Sequence, residues 1–370
     1  MTVTKLLVER DVDLTGANTL ALNCRAQQLI RCNSLATLQA ARDYAFENGL
    51  SIALLGGGSN TLCPEILPGL VVKLEAPSKA DDGGCYTEIA RQRATGQVTI
   101  EVAAGVSWAE LVSASVANGL SGLENLAAIP GSVGAAPIQN IGAYGVEIAQ
   151  CLKSVNFYHW GSGQLVEMSA EQCEFSYRES IFKRQLAGQG AVVSVQLQLL
   201  DEQCAKPAYN TAYPALAEVL NDSASVINAR IIAAAVTAIR QHKLPDPSVQ
   251  PNAGSFFKNP VVEQEHFQQL QRRYPDIPYF SGPTQRHVKI PAAWLLEQGG
   301  LKGYRYGTIA THALQPLVLV NQGGASLQEL LEFAGHCAKV VEQKFVVKLQ
   351  REPQELALFE WPKSGAFDAV

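Results

Sequence analysis

The chain has 370 residues, of which 47% are hydrophobic and 17% charged, and a formal net charge of −5. That length suits two or three domains with real apolar cores rather than one. The acidic balance excludes a broad basic face for nucleic acid but leaves room for a local basic pocket that holds phosphates.

In chain order, Ser34 is placed to cap a helix through Leu38, Ala41 and Ala45 that stops at Asn48-Gly49. Residues 51–55 read as an apolar strand, followed by Gly56-Gly57-Gly58-Ser59-Asn60, and residues 70–74 read as another strand. Residues 1–75 therefore form a small α/β unit, and the polar residues 76–97 a loop or hairpin. Val98, Ile100 and Val102 alternate with polar residues as in a half-buried strand. Ser107 and Glu110 have capping-box spacing, before a helix that presents Trp108, Leu111, Val112, Ser115 and Val116 on one face. Residues 122–148 are rich in Gly, Ala and Pro. They are too many for a plain connector and too apolar for disorder, so they read as a binding loop. Val193, Val195, Leu197 and Leu199 mark a further alternating strand, so residues 76–240 read as α+β. A helical stretch at 226–239 stops at Leu244-Pro245-Asp246-Pro247, where a third unit, 241–355, begins. Ser326 and Glu329 cap a long helix there through Leu330, Phe333, Cys337, Val340 and Val341; residues 345–349 read as a closing strand and 356–370 as a C-terminal tail.

Several segments have chemical potential. Glycines 56–58 let backbone N–H groups approach a phosphate, with Ser59 and Asn60 as extra donors, although neither a P-loop nor a G-x-G-x-x-G fingerprint is present. The run from Ile129 to Pro137 and the following Gln139-Asn140-Ile141-Gly142-Ala143-Tyr144-Gly145 form a second glycine-rich region, suited to a pyrophosphate and a flat ring or simply to tight packing. Arg178, among aromatics, is a surface ion-pair partner or a fork for a carboxylate. Ser255 has no G-x-S-x-G around it, which argues against a hydrolase nucleophile. The eight cysteines are scattered without a C-x-x-C pair, as reduced structural thiols would be. The six histidines show no metal-binding spacing, so no metal is expected. The amino-terminal residues carry acids where a signal peptide would be apolar, and no stretch reaches the about 18 apolar residues of a membrane span. A cytoplasmic protein without membrane or nucleic-acid partners is expected.

Taken together, Gly-Gly-Gly-Ser-Asn at 56–60, GLENLAAIPGSVGAAPIQNIGAYGVEI at 122–148, YRESIFK at 177–183, and KLPDP with NAGSFFKNP at 243–260 make the chain resemble the UDP-N-acetylenolpyruvoylglucosamine reductase (UDP-N-acetylmuramate dehydrogenase) family. The order and spacing agree along nearly the whole chain. The resemblance implies an α+β protein: a two-domain FAD-binding fold of the vanillyl-alcohol-oxidase type (1–75 and 76–240), plus a substrate-binding domain. It also implies reduction of an enolpyruvyl UDP-sugar in peptidoglycan synthesis, with bound FAD and NADPH as co-substrate, by a monomer. Gly56, Gly57, Gly58, Ser59, Asn60, Pro130, Gly131, Ser132, Gly134, Ala135, Gly142, Ala143 and Tyr144 would hold the cofactor. Arg178, Ser255 and Glu352 take the catalytic positions, with Glu355 the competitor should the alignment carry a gap, since Leu-Gln-Arg-Glu at 349–352 stands where the family has Leu-Glu-Pro-Glu. Asn18-Thr19-Leu20 likewise replaces the usual Asn-Thr-Phe. Tyr177, Tyr213, Lys243 and Asn259 would bind substrate, with Tyr209 the alternative to Tyr213 in a tyrosine-bearing loop near 205–217. In that scheme Arg178 stabilises charge growing on the substrate carboxylate. Glu352, protonated or sharing a proton, bonds the same oxygens, and Ser255 gives a proton to the inner carbon. The alternatives are a sugar or alcohol oxidase on the same fold, or a nucleotide-sugar-binding protein without activity.

Overall fold

The computed structural model describes residues 6–77, 84–211, 213–221 and 226–362. Its first sheet uses β1 (Glu9–Asp13) and β2 (Arg25–Cys32). The chain then crosses over through α1 (Leu35–Glu47) to β3 (Ile52–Leu55), and continues by the short β4 (Thr61–Leu62) into β5 (Ile66–Leu74). Strands β2, β5 and β3 lie parallel, as a helical crossover requires. The Thr37 N–H donates to Ser34 Oγ at 3.2 Å, so the expected cap forms, and Leu38, Ala41 and Ala45 face the sheet.

The second body is an antiparallel sheet. Its elements in sequence are β6 (Thr87–Gln92), β7 (Gln97–Ala103), α2 (Trp108–Ala117), β8 (Leu120–Ser121), the hairpin β9 (Gly142–Ala143) and β10 (Val146–Glu147), β11 (Leu152–His159), β12 (Leu165–Ser169) and β13 (Gly190–Asp201). The strand order is β12-β11-β13-β7-β6. Val98, Ile100 and Val102 are buried, as their alternation implied. The capping box expected at Ser107 is absent, because Ser107 is used by its backbone. It pairs with Ser132, while the Trp108 N–H donates to Gly131 O at 3.0 Å. The start of α2 thus pins the second glycine-rich run. Helices α3 (Pro214–Asn221) and α4 (Ala229–Lys243) follow, the latter capped by Asn228, which accepts from the Ile231 N–H at 3.0 Å.

The third body begins with β14 (Asn252–Ser255), β15 (Val261–Glu263), α5 (Gln264–Arg273), β16 (Phe280–Ser281), β17 (His287–Lys289) and α6 (Ala292–Gln298). It continues with β18 (Arg305–Tyr306), β19 (Ile309–Thr311), β20 (Val318–Asn321) and α7 (Leu327–Phe345), and the chain ends in β21 (Gln354–Glu355) and β22 (Leu358–Phe359). Two small antiparallel sheets, β14-β20-β19-β18 and β15-β17-β16, pack on the helices. The capping box at Ser326 and Glu329 forms as expected. Residues 345–349 are not the expected strand. Leu330, Phe333, Cys337, Val341 and Phe345 keep helical spacing into the core, so the helix runs on to Phe345 and stops at Val346, which has a left-handed φ of 58°.

The segment expected as a tail also differs. Strand β21 pairs in parallel with β4, and β22 joins the first sheet beside β3. The Trp361 indole N–H donates to Leu50 O at 2.8 Å and its ring meets Phe46 and Phe359 edge-on, both at 5.0 Å. Among the described residues no helix is long and apolar enough to cross a membrane. Because Phe359 is 5% exposed in this sheet, Phe359→Ala should cost about 3 kcal/mol in denaturant unfolding. A loss below about 0.5 kcal/mol would show that the returning segment contributes nothing.

Candidate active site

Gly56–Asn60 and the run 130–135 face each other across a cleft with about 1400 Å³ of space, open mouth included. The glycines are needed for the approach itself: a Cβ on Gly57 would lie 2.9 Å from Gly131 Cα, and Gly58 and Gly131 have φ of 64° and 124°. Ser59 Oγ donates to Pro130 O at 3.1 Å and ties the loops together. None of the N–H groups of Gly57, Gly58, Ser59, Asn60, Gly131 and Ser132 donates a hydrogen bond among the described residues. They form a concave set of free donors, the arrangement that binds phosphate oxygens. Farther in, the walls become apolar, with Trp108, Ile138, Phe157, Phe182 and Val192. Such a cleft takes a ligand with an anionic middle and a flat apolar end.

Ten of the thirteen expected cofactor residues line this cleft: Gly56, Gly57, Gly58, Ser59, Asn60, Pro130, Gly131, Ser132, Gly134 and Ala135. Gly142, Ala143 and Tyr144 do not. They belong to the β9–β10 hairpin, which turns away toward Arg178; Arg178 Nη2 donates to Gly142 O at 2.6 Å. The returning segment Gln354–Ala357, Lys183, and residues 186–188 complete the wall. Of these only Glu355 was singled out from the sequence, and for another role; the rest are brought to the wall by long-range folding and not by a local motif.

Arg178 adjoins the cleft without lining it: its Nη1 donates to Asn140 O at 3.4 Å, between the lining residues Gln139 and Ile141. It sits in a two-residue turn closed by reciprocal backbone bonds between Ser176 and Glu179, both 3.1 Å, and its φ is 56°. A non-glycine residue held there implies external support. Asn140 supplies part of it, donating to Ser176 O at 3.1 Å and to Glu147 Oε2 at 2.7 Å, and Ser180 Oγ donates to Ile138 O at 2.5 Å. Glu352 Oε1 lies 3.2 Å from Arg178 Nε, but Nε has no aligned hydrogen-bond partner, so the contact is an ion pair of imperfect geometry. Burial pushes the Glu352 carboxyl above the usual range, against the opposing pull of Arg178, Lys183 and Lys258. Glu355 is exposed, pairs with Arg351 and lies on the cleft wall, away from this contact. Of the two, Glu352 is the carboxyl in contact with Arg178.

Ser255 ends β14, and the next residue, Phe256, accepts from the Glu352 N–H at 2.9 Å through its carbonyl. Asn60 ties the cleft to the main chain around Glu352, with Nδ2 3.5 Å from the Glu352 backbone O and its own carbonyl accepting from the Gln354 N–H at 3.4 Å. Lys258 pairs with Glu179 at 2.5 Å, and the nearly inaccessible Lys183 donates to Arg178 O at 3.1 Å. Both lysines lie inside segments quoted from the sequence, yet nothing in their spacing marked them.

Tyr177 OH accepts from the Asn259 N–H at 3.4 Å, and Lys289 lies 4.3 Å above the Tyr177 ring. Lys289 also lies 5.8 Å from the ring of Phe280, which stacks on Tyr213 at 6.5 Å; Tyr213 meets Tyr144 edge-on at 5.1 Å. Tyr209 instead donates to Glu202, away from this chain of rings. Lys243, the last residue of α4, is exposed, and among the described residues no hydrogen bond or ion pair joins it to the group. Sequence reasoning did not single out Lys289 or Phe280.

Residues 246–356 match the model of the UDP-N-acetylenolpyruvoylglucosamine reductase C-terminal domain, and residues 26–169 match that of an FAD binding domain. The chain is 41% identical over 347 residues to the UDP-N-acetylenolpyruvoylglucosamine reductase of Alcanivorax borkumensis, covering 93% of this chain and 94% of that one. The chain belongs to this reductase family. The enzyme of that name from Neisseria meningitidis serogroup A is 40% identical, covering 93% of this chain and 96% of its own. The reductase structure from Thermus caldophilus superposes with a TM-score of 0.62 at 24% identity over 96% of this chain and all of that one. The 6-hydroxy-D-nicotine oxidase from Arthrobacter nicotinovorans shares the fold, with a TM-score of 0.51 at 11% identity, 94% of this chain and 88% of that one covered. The fold is α+β with the FAD-binding architecture of that oxidase group, and FAD fits the cleft: free N–H groups for its pyrophosphate, apolar walls for its ring. Gly57→Ala, whose Cβ meets backbone rather than a movable side chain, should weaken FAD binding at least ~10-fold, read by absorbance during FAD titration of the apoprotein. Unchanged affinity would contradict the cradle.

Proposed function

We propose that this chain reduces UDP-N-acetylenolpyruvoylglucosamine to UDP-N-acetylmuramate with NADPH, in peptidoglycan precursor synthesis. The observation that carries the reading is the placement of Arg178 and a buried Glu352 together, beside a cleft that fits FAD. Bound FAD supplies the hydride, drawn from NADPH.

The chain's own residues do the remainder. The Arg178 guanidinium presents N–H donors fixed by its turn and by Gly142 O, and it orients the substrate carboxylate. As hydride reaches the outer carbon of the alkene, charge flows onto that carboxylate, and a positioned cation stabilises it most where water is excluded. Glu352, whose neutral form burial favours, donates a hydrogen bond to the same oxygens. Ser255 delivers its proton to the inner carbon. Tyr177, Tyr213 and Asn259 hold the sugar nucleotide, with Lys289 and Phe280 beside them. Lys243, exposed at the end of α4, meets the diphosphate end. We further propose divisions close to residues 75 and 240, across which some core packing runs: Leu20, Leu22 and Leu62 join the third body's core, and Tyr158, Trp160 and the returning Phe359 join the first body's. We propose a cytoplasmic monomer; the cytoplasmic reading fits eight cysteines outside any disulfide, six of them buried.

NADPH consumption that depends on the enolpyruvyl UDP-sugar, under anaerobic conditions, tests the activity; consumption that requires oxygen instead would indicate an oxidase. Ser255→Ala should leave flavin reduction by NADPH nearly intact and slow reoxidation by the UDP-sugar ~10²-fold or more. Equal loss in both half-reactions would remove Ser255 from the proton-transfer role. The pH dependence follows from Glu352. Its folded pKa is raised, so the active protonated form is present at low pH and is lost as pH rises through that pKa. Reoxidation should fall on the alkaline side in the wild type, and Glu352→Gln, which cannot ionise, should lack that limb. An unchanged limb in the variant would assign it to another group.

A further inference from the structure

Tyr213, whose ring meets Tyr144, directly precedes α3, and a connection, residues 202–211, follows β13. Two separate sets of bonds hold this connection in the middle. On one side the Tyr209 hydroxyl donates to Glu202, which also accepts the Ala229 N–H at 2.7 Å and so fastens the strand to the start of α4. On the other side lie two asparagines. Asn125 is 1% exposed, and its Nδ2 donates both to Asn210 O at 2.8 Å and to Tyr144 O at 3.1 Å. Asn210 Nδ2 donates in return to Gly145 O at 3.0 Å. A Cβ on Gly145 would fall 2.8 Å from Asn210 Nδ2, so the turn is shaped to admit this amide.

We infer that Asn125 and Asn210 form an amide latch that fixes the Tyr213 segment against the Tyr144-Gly145 turn and thereby sets the mouth of the substrate site. Both are positioning residues: neither touches Arg178, Glu352 or the cleft wall. The latch couples two elements that a ligand needs in register. One is Tyr144, whose φ of 50° must be imposed from outside. The other is Tyr213, three residues beyond the latched Asn210. One buried amide whose two N–H groups are split between two backbone carbonyls can hold both at once. Losing it would leave two carbonyls without partners and the strained turn without support. The bonds are few and partly open to water at Asn210, so opening is inexpensive, as exchange of a bulky sugar nucleotide requires.

This inference rests on the proposed role of Tyr213, and the test separates the two. Asn210→Ala removes a partly exposed side chain and keeps the fold; Asn125→Ala removes the buried one. In the full-length FAD-loaded enzyme, amide hydrogen exchange over residues 208–213 should accelerate at least ~10-fold in both variants, with no nucleotide present. KM for the enolpyruvyl UDP-sugar should rise ~5-fold or more while kcat and flavin reduction by NADPH change less than ~2-fold. Tyr213→Phe serves as the control for the underlying reading. If its KM is unchanged, Tyr213 does not close over substrate, whereas the exchange result still judges the latch. Unchanged exchange in Asn210→Ala and Asn125→Ala, or a fall in thermal stability with KM intact, would overturn the latch.

Discussion

A guanidinium and a carboxyl group face each other at 3.2 Å with little access to water, and most of the fold serves to keep them so. Charges in that setting are expensive unless they are paired. The pair is imperfect: burial favours the neutral carboxyl while three cations favour the anion. Burial outweighs the cations and moves the carboxyl toward its neutral form, while the guanidinium's Nη groups are anchored to backbone carbonyls. In the proposed mechanism this guanidinium stabilises the negative charge that arrives on the substrate carboxylate.

Arg178 and Glu352 come from opposite ends of the fold's logic. Arg178 sits in a strained turn of the antiparallel body, supported by Asn140 and Ser180. Glu352 hangs between the end of α7 and a returning strand. Its N–H is held by Phe256 O, and the residues after it are held by β4 and β3 of the first sheet. The carboxyl group therefore belongs to no single body. Its position is a sum of contacts with all three, and the same residues, 354–357, close the cofactor cleft.

Local structure was largely legible in the sequence. The caps at Ser34 and Ser326 and the alternation at Val98–Val102 each reflect neighbours within a few residues, and the structure follows them. The failures share one cause. At Ser107 a locally favoured cap gives way to a long-range backbone pairing with Ser132. At 345–349 a β-rich apolar run lies in register with the buried face of α7, and helical burial of Phe345 prevails. The tail became a strand because β3 offered an unpaired edge that only distant residues reveal. The site divides the same way. Glycines 56–58 and 131 announce a close approach, since only glycine permits it, whereas Lys183, Lys289 and Asn125 carry no local signal. Gly142, Ala143 and Tyr144 share the composition of a cofactor loop but turn toward Arg178, which composition does not encode.

The account depends most on the protonation state of one carboxyl group. Isotope-edited infrared titration of the FAD-loaded enzyme, with glutamate labelled at the carboxyl carbon and Glu352→Gln as the reference, observes it directly. The expected result is a carboxyl band that persists after the surface glutamates have ionised and is missing from the reference, distinct from any band of the buried Glu124, which the reference retains. A spectrum in which every glutamate ionises together would show Glu352 to be an ordinary anion paired with Arg178, and the charge balance proposed here would be wrong.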